Sequence, residues 1–257
     1  MTATTEIVNY LDTILETAST PDFPHALNGL QVANSGTVRK VAACVDFSLR
    51  SVEAAVTADA DLLLVHHGMF WGGLRRITGA TYKRLKLLLD NDVAVYASHL
   101  PLDRHADFGN NILLARELGL DPVESFSRYE TISIGVRGND DLPTANIVER
   151  ARIFAQRHDG DVVSTKFSPE RRTRHWAICT GAGASADTLT EASELQIDTL
   201  IVGEGPHWTA VEAEDMGLVI IYAGHYATET LGVSALARHL ADRFQLGWTM
   251  IHAPTGL

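Results

Sequence analysis

The stretch "DLLLVHHGMFW" (residues 61–71) decides how this chain folds. Four consecutive aliphatic residues are typical of a strand buried on both faces, and two adjacent histidines follow where that strand would end. Strand-like segments flank it at "KVAACVDFS" (40–48) and "DVAVYASH" (92–99), and helix-like segments lie between them at 49–58 and 80–90. This alternation predicts an α/β fold with a largely parallel sheet flanked by helices.

The same stretch has a counterpart in the second half of the chain, because "DTLIVGEGPHW" (198–208) aligns with it without gaps. Two further pairs keep the same order around it. They are "VAACVDFS" (41–48) with "WAICTGAGAS" (176–185), and "VAVYASHLPLD" (93–103) with "LVIIYAGHYATE" (218–229). Three echoing pairs in one order predict two similar α/β units with mostly parallel or mixed sheets.

The composition argues against a nucleic-acid-binding, membrane-bound or disulfide-rich protein. The chain has 257 residues with a net charge of -11, which opposes binding to nucleic acid or to an anionic membrane. Cys44 and Cys179 lie far apart in apolar runs, as expected for buried thiols in a reducing compartment. No apolar run reaches about 18 residues, and the N-terminus has helical rather than signal-peptide patterning, so we expect a cytoplasmic protein without a membrane span.

Unusual polar residues fall where the predicted strands end, and ligands collect at the carboxyl ends of strands in open α/β sheets. They are His66, His67, His99 and Asp103 in the first half, and Glu204, His207, His225 and Glu229 in the second. The segments "HLPLD" (99–103) and "HYATE" (225–229) both read histidine, three residues, carboxylate. On a helical turn, that spacing directs both side chains the same way, although Pro101 leaves a loop open as an alternative there.

Imidazole and carboxylate together are the ligand types that suit zinc, manganese or ferrous iron. Carboxylates can also bridge two ions. Paired ions are typical of enzymes that activate water for hydrolysis. The set that fits two ions better than one is His66, His67, Asp103, His225 and Glu229. Each residue alone is more often a structural hydrogen-bonding group or a helix cap, so their correlated placement carries the prediction.

Other motifs favour structural interpretations. "TGAGAS" (180–185) lacks the third glycine of a dinucleotide fingerprint, and a tight turn with Ser185 near a helix N-cap is favoured over a phosphate cradle. The basic run "RRTRH" (171–175) is interpreted as a solvated loop. Six histidines show no comparable pattern: His25, His105, His158, His175, His239 and His252.

These motifs, with "LNGLQV" (27–32), together resemble the Nif-three-like family of dinuclear-metal, hexameric proteins, also labelled GTP cyclohydrolase one type two homologues. The resemblance covers almost the whole chain and is to the short form of the family. It implies a first α/β domain of residues 1–125 plus 226–257 and a second of residues 126–225. It also implies a homo-hexamer built as a trimer of dimers.

The resemblance implies that two divalent metal ions are bound by the residues that match the family's ligands, which are His66, His67, Asp103, His225 and Glu229. It places His99 beside the site, and Glu204 and His207 in the same cleft. Trp208 stands where the family often has a second histidine.

Two function hypotheses follow. The first is a metal-dependent hydrolase of a nucleotide or a related small compound, as the GTP cyclohydrolase label implies, with Glu204, His207 or His99 moving protons or orienting the substrate. The second is a non-catalytic, ring-shaped metal-binding or interaction protein, which predicts metal binding without turnover.

Overall fold

The computed structural model describes residues 1–256, which pack as two compact units. One unit contains residues 1–102 and 232–253, and the other contains residues 103–231 and the residues from Pro254 onward. The helices are α1 (Thr4–Ile14), α2 (Leu49–Thr57), α3 (Gly79–Asp90), α4 (Leu100–Asp103), α5 (Asn110–Glu117), α6 (Thr144–Gln156), α7 (Ala186–Glu194), α8 (His207–Met216) and α9 (His225–Phe244). The strands are β1 (Thr2–Ala3), β2 (Gly29–Val32), β3 (Thr37–Val38), β4 (Lys40–Asp46), β5 (Leu62–His67), β6 (Ala94–Ala97), β7 (Glu124–Tyr129), β8 (Ile132–Pro143), β9 (Val163–Ser164), β10 (Arg172–Cys179), β11 (Thr199–Val202), β12 (Val219–Tyr222) and β13 (Gly247–Met250).

The first unit is built on a five-stranded sheet of order β13-β4-β5-β6-β2. Strands β13, β4, β5 and β6 are parallel, and β2 pairs antiparallel with β6 at one edge. Strand β5 has parallel neighbours on both sides, and all six of its residues are buried. The aliphatic run therefore forms a central strand, as the sequence predicts.

The second unit is built on a six-stranded sheet of order β7-β8-β10-β11-β12-β9. Strands β10, β11 and β12 are parallel, whereas β7 and β8 form an antiparallel pair and β9 runs antiparallel to β12. Alternate residues of β10 enter different hydrophobic clusters, with Trp176 and Ile178 in one and Ala177 and Cys179 in the other. Both faces of this sheet are therefore covered.

The internal echo of the sequence corresponds to a repeated arrangement of strands. The order β4-β5-β6 in the first unit matches β10-β11-β12 in the second, and all of these strands are parallel to their neighbours in the triplet. The fourth strand differs, because β13 lies parallel to β4 whereas β8 lies antiparallel to β10. The prediction of two α/β units with mixed sheets flanked by helices is confirmed.

Two details of the sequence interpretation need comment. The basic run does not form a loop, because residues 172–175 belong to strand β10, although Arg172, Arg174 and His175 are exposed there. The resemblance implies domain boundaries at 125/126 and 225/226. The packing of the chain does not test them, so they stay a prediction.

Both cysteines are buried and neither forms a disulfide, as expected. Burial raises the pKa of Cys44 to about 11 and that of Cys179 to about 12, so both thiols stay protonated near neutral pH. Within residues 1–256, no helix combines the length and the apolar character needed to cross a bilayer.

The N-cap of α7 offers a test of the "TGAGAS" interpretation. The Ser185 hydroxyl accepts a hydrogen bond from the Thr188 backbone N–H at 3.1 Å, which satisfies a donor at the start of the helix. We expect Ser185→Ala to lower the free energy of unfolding by about 1 kcal/mol in denaturant titrations. Ser193→Ala, at an exposed position of the same helix, should change it by less than about 0.5 kcal/mol. Equal effects of the two substitutions would contradict the assigned cap.

Candidate metal centre

The twin histidines are the last two residues of β5, and both are buried. Their ring centroids lie 4.8 Å apart, so the end of the strand brings together side chains that a regular strand would direct to opposite faces. His66 Nδ1 lies 2.8 Å from the Ser98 carbonyl oxygen, and His67 Nδ1 lies 2.9 Å from Asp46 Oδ1. A carbonyl oxygen can only accept, so Nδ1 of His66 carries the proton, and Nε2 is the nitrogen that a metal would bind.

His99 joins this pair from the segment after β6. Its ring centroid lies 4.9 Å from that of His66 and 5.6 Å from that of His67. The candidate ligand atoms of the three histidines all lie within 4.8 Å of one another, so His99 has the position of a third ligand as well as of a neighbour to the site. We name these three residues the histidine cluster.

Asp22 fixes the orientation of His99. Its Oδ1 lies 2.8 Å from His99 Nδ1, and its Oδ2 accepts hydrogen bonds from the Asn28 amide and the Leu100 backbone N–H. Burial by itself would raise the pKa of Asp22, but His99 and these donors lower it below its usual value. The carboxylate therefore stays ionised in a buried position.

The second unit brings His225 and Glu229 together on the first turn of α9. His225 Nε2 lies 3.1 Å from Glu229 Oε2, and His225 Nδ1 lies 2.9 Å from Glu204 Oε1. The prediction that "HYATE" forms a helical turn with both side chains on one side is confirmed. The segment "HLPLD" also enters a helix, α4, with Pro101 in its first turn, where proline is tolerated.

Two carboxylates act on the His225 imidazole. Burial by itself would lower the pKa of His225, but Glu229 and then Glu204, each through a hydrogen bond and charge attraction, raise it to about 9. Without a metal, the imidazolium is the stable form near neutral pH. A metal ion bound at Nε2 would have to displace that proton, and the two carboxylates would then neutralise the charge of the ion.

Asp103 is buried at the end of α4, where its Oδ1 accepts a hydrogen bond from the Asn110 amide at 2.8 Å. Burial is the main cause of the raised Cys179 pKa, and the charges of Asp103 and Glu229 add to it. Both carboxylates thus lie within electrostatic range of one buried thiol in the second unit.

The glycine-rich turn after β10 packs directly against His225 and Glu229, the candidate ligands of the second unit. A Cβ atom at Gly181 would lie 2.1 Å from Glu229 Oε1 and 3.4 Å from His225 Nε2, and Gly181 has φ +62. The Gly181 backbone N–H donates to the Thr228 hydroxyl at 3.1 Å. The turn thus holds the first turn of α9 in place, and a side chain at position 181 would have to displace the Glu229 carboxylate.

The other predicted residues differ in their placement. Glu204 follows β11 and contacts His225, as described above. His207 is the first residue of α8 and is exposed, and none of its contacts in the described part of the chain joins it to Glu204, His225 or Glu229. Trp208 is 43% exposed beside it. The catalytic roles of Glu204, His207 and His99 stay predictions.

Sequence reasoning missed Asp46 and Asp22. Asp46 ends β4 directly beside His67 in the register of the parallel pair, so its position at a strand end could have pointed to it. Asp22 lies in an irregular segment far from His99 in sequence, and no local pattern indicates it.

The donor chemistry of these residues fits a divalent metal. Each of His66, His67, His99 and His225 has Nδ1 at 2.8 to 2.9 Å from a carbonyl or carboxylate oxygen. Metal-binding histidines almost always use their second nitrogen in this way, because the bond fixes the tautomer and strengthens the ligand. The fold and these residues together define a class: an α/β protein of two units with buried histidine and carboxylate groups suited to metal binding.

Residues 2–255 match the sequence profile of the family described as Duf34/NIF3 (NGG1p interacting factor 3), and the chain belongs to this family. Among the relatives named "GTP cyclohydrolase 1 type 2 homolog", the Deinococcus radiodurans protein is 37% identical over 98% of this chain and 94% of its own length. The Pyrococcus abyssi protein is 40% identical over 98% of both chains.

Solved structures agree with this membership. The crystal structure of TTHA1606 from Thermus thermophilus superimposes with a TM-score of 0.86 at 36% identity, covering 99% of this chain and 100% of that one. The protein ybgI, whose structure is described as of unknown function, gives a TM-score of 0.88 at 32% identity with the same coverage. The family resemblance of the sequence is therefore confirmed.

The glycine turn generates one prediction. In Gly181→Ala, the added methyl group would displace the Glu229 carboxylate, so we expect the affinity for Zn²⁺ or Mn²⁺, measured by calorimetry, to fall by about 10-fold or more. Gly217→Ala is the matched control, because Gly217 has φ +68 but nothing within 4 Å of an added Cβ among the described residues. Both variants share the cost of a left-handed backbone, and only Gly181→Ala crowds the carboxylate. A similar loss of metal affinity in both would contradict the assignment.

Asp46 generates another prediction. Asp46→Ala removes the acceptor that orients His67, and we expect metal affinity to fall by about 10- to 100-fold in the same calorimetric titration. Asp90→Ala is the control, since Asp90 is exposed and pairs with Lys86 on the surface of α3. Metal affinity unchanged by Asp46→Ala would contradict the assigned role of Asp46 in orienting a metal ligand.

Proposed function

We propose that this protein is a divalent-metal-dependent hydrolase acting on a nucleotide or a related small phosphorylated or heterocyclic compound. One observation carries the proposal. Four buried or half-buried histidines each have Nδ1 at hydrogen-bond distance from a carbonyl or carboxylate oxygen. Structural histidines need no such common arrangement, whereas metal-binding ones do. The name of the relatives, GTP cyclohydrolase 1 type 2 homolog, supports a nucleotide as the substrate class.

As part of this proposal, two ions are held by the ligand set expected from the sequence: His66, His67, Asp103, His225 and Glu229. Zinc, iron and manganese all accept these ligands, and availability selects among them. Bound ions would supply an activated water nucleophile and polarise the bond that is cleaved. Of the two candidate bridging carboxylates, Glu229 is held by His225 and Asp103 by Asn110.

The remaining polar residues supply proton transfer and orientation in this proposal. Glu204 is about half exposed and contacts His225 Nδ1. Its carboxylate can therefore accept a proton from a substrate or water while it holds the imidazole in place. His207 is exposed, which suits a group that passes protons between a substrate and solvent. His99 is buried against Asp22 and is better suited to binding or orienting than to proton exchange.

The assembly and location also belong to the proposal. A homo-hexamer built as a trimer of dimers is expected from the family resemblance, together with a cytoplasmic location and a small-molecule substrate. Mass measurement under native conditions tests the assembly, and a monomer would contradict it.

The test of catalysis uses Asp103. We expect purified protein loaded with Zn²⁺, Fe²⁺ or Mn²⁺ to hydrolyse at least one member of a nucleotide panel that includes GTP, as followed by chromatography of the products. Asp103→Asn should lower that turnover by about 100-fold or more, because the variant loses a charged ligand. Asp107→Asn, at an exposed position four residues later, should leave turnover within about twofold.

The result also decides between the two function hypotheses. Metal binding without any turnover that depends on Asp103 would favour the non-catalytic metal-binding protein. Absence of bound metal after loading would contradict both.

A further inference from the structure

A cavity of about 450 Å³ opens beside His67 in the first unit, and most of the residues that line it have no role in the proposed metal site. It is formed by the end of β4, the segment after β5 and the start of α3. Its walls include the apolar side chains of Phe47, Met69, Trp71 and Ile77. The size and the mainly apolar walls are typical of a pocket for a small organic ligand.

Two arginines, Arg75 and Arg84, line the same cavity. Among residues 1–256, no carboxylate forms an ion pair with either of them. Asp46 is the one acidic residue that the described chain places in the wall, and its carboxylate is held by His67 Nδ1. The cavity wall therefore carries two positive charges and one negative charge, a local positive excess in a chain whose net charge is -11.

The bonding of Arg84 leaves capacity for an anion. Its Nη1 donates to the Phe47 carbonyl at 3.3 Å and its Nη2 to the Thr81 hydroxyl at 3.4 Å, both long contacts. Its Nε is buried and finds no hydrogen-bond acceptor in the described chain, and its guanidinium carbon lies 5.2 Å from the centre of the Phe47 ring. An anion in the cavity would offer Nη1 and Nη2 stronger acceptors than these two long contacts provide.

Arg75 lies near enough to act on Arg84. Partial burial and, after it, the charge of Arg75 lower the pKa of the Arg84 guanidinium. Arg75 Nε donates to the Gly72 carbonyl at 3.4 Å, and a Cβ atom at Gly72 would lie 2.2 Å from Arg75 Nη2. Because Gly72 has no side chain, the Arg75 guanidinium can pack against its backbone in the loop.

We propose that this cavity binds the phosphate group of an aromatic phosphate ester, with Arg84 and Arg75 holding the phosphate and Trp71 contacting the ring. A phosphate dianion balances the charges of two guanidinium groups and has enough oxygens to accept hydrogen bonds from both. A carboxylate has a single charge and can accept paired hydrogen bonds from one guanidinium group. Trp71 is 37% exposed, and its ring lies 4.7 Å from that of His67, so the ring of a ligand stacked there would lie next to the histidine cluster. This inference rests on the proposed function only in taking His67 as part of the reaction site.

The experiment measures the Kd of phenyl phosphate by calorimetry with the full-length protein, with and without bound Zn²⁺. We expect Arg84→Gln and Arg75→Gln each to raise the Kd by about 10-fold or more, since each loses charge-assisted hydrogen bonds. Arg76→Gln is the matched control, because Arg76 is exposed in the same loop and does not line the cavity, and its Kd should stay within about twofold. Benzoate should bind at least about 10-fold more weakly than phenyl phosphate.

Several outcomes would overturn the inference. These are no binding of phenyl phosphate, the same Kd in Arg84→Gln and Arg75→Gln as in the parent protein, an equal loss in Arg76→Gln, or equal binding of benzoate. If Arg84→Gln does not fold, Arg75→Gln and Arg84→Lys decide. Arg75 is exposed, and lysine keeps the charge but loses the fork, so Arg84→Lys should give an intermediate Kd.

The two proposals fail separately. If binding depends on both arginines but no turnover depends on Asp103, the phosphate site stands and the hydrolase proposal fails. If turnover depends on Asp103 but the Arg75 and Arg84 variants bind phenyl phosphate normally, the hydrolase stands and the phosphate site fails.

Discussion

The parallel pairing of β4, β5 and β6 is the constraint on which the rest of the first unit depends. Parallel strands end at the same edge of a sheet, so Asp46, His67 and the segment that carries His99 emerge together. The register sets Asp46 opposite His67, and a slip of one residue would separate this pair. The hydrophobic free energy of a fully buried strand thus fixes the position of two polar side chains.

The second unit reaches a similar chemical arrangement by a different local structure. Its strands repeat the parallel order, but the imidazole and carboxylate lie on the first turn of α9 rather than on a strand. Glu204 takes the place that Asp46 and Asp22 have in the first unit, as the acceptor for a histidine Nδ1. In both units an oxygen at Nδ1 fixes the orientation of the imidazole, as it does in histidines that bind metals through their other nitrogen.

Much of the fold and part of the site could be predicted from the sequence. The remaining features could not, because they depend on contacts between segments that are distant in the chain. Apolar runs and their echo indicate the three parallel strands of each unit, because burial on both faces leaves an uninterrupted hydrophobic pattern. The direction of the fourth strand, parallel for β13 and antiparallel for β8, depends on chain connections that no local pattern reports. Asp22 is likewise invisible, because its contact with His99 joins residues 77 positions apart.

The sequence by itself determined the family, the repeated α/β units and the residue types available for metal binding, since spacing and hydrophobic pattern are properties of the chain alone. Only the tertiary structure decided which oxygen holds each histidine and that Gly181 packs against the Glu229 carboxylate. It also decided that Arg75 and Arg84 line one cavity, where no carboxylate of the described chain forms an ion pair with them. These features depend on distances between segments remote in sequence. Packing sets those distances, and no periodicity in the chain encodes them.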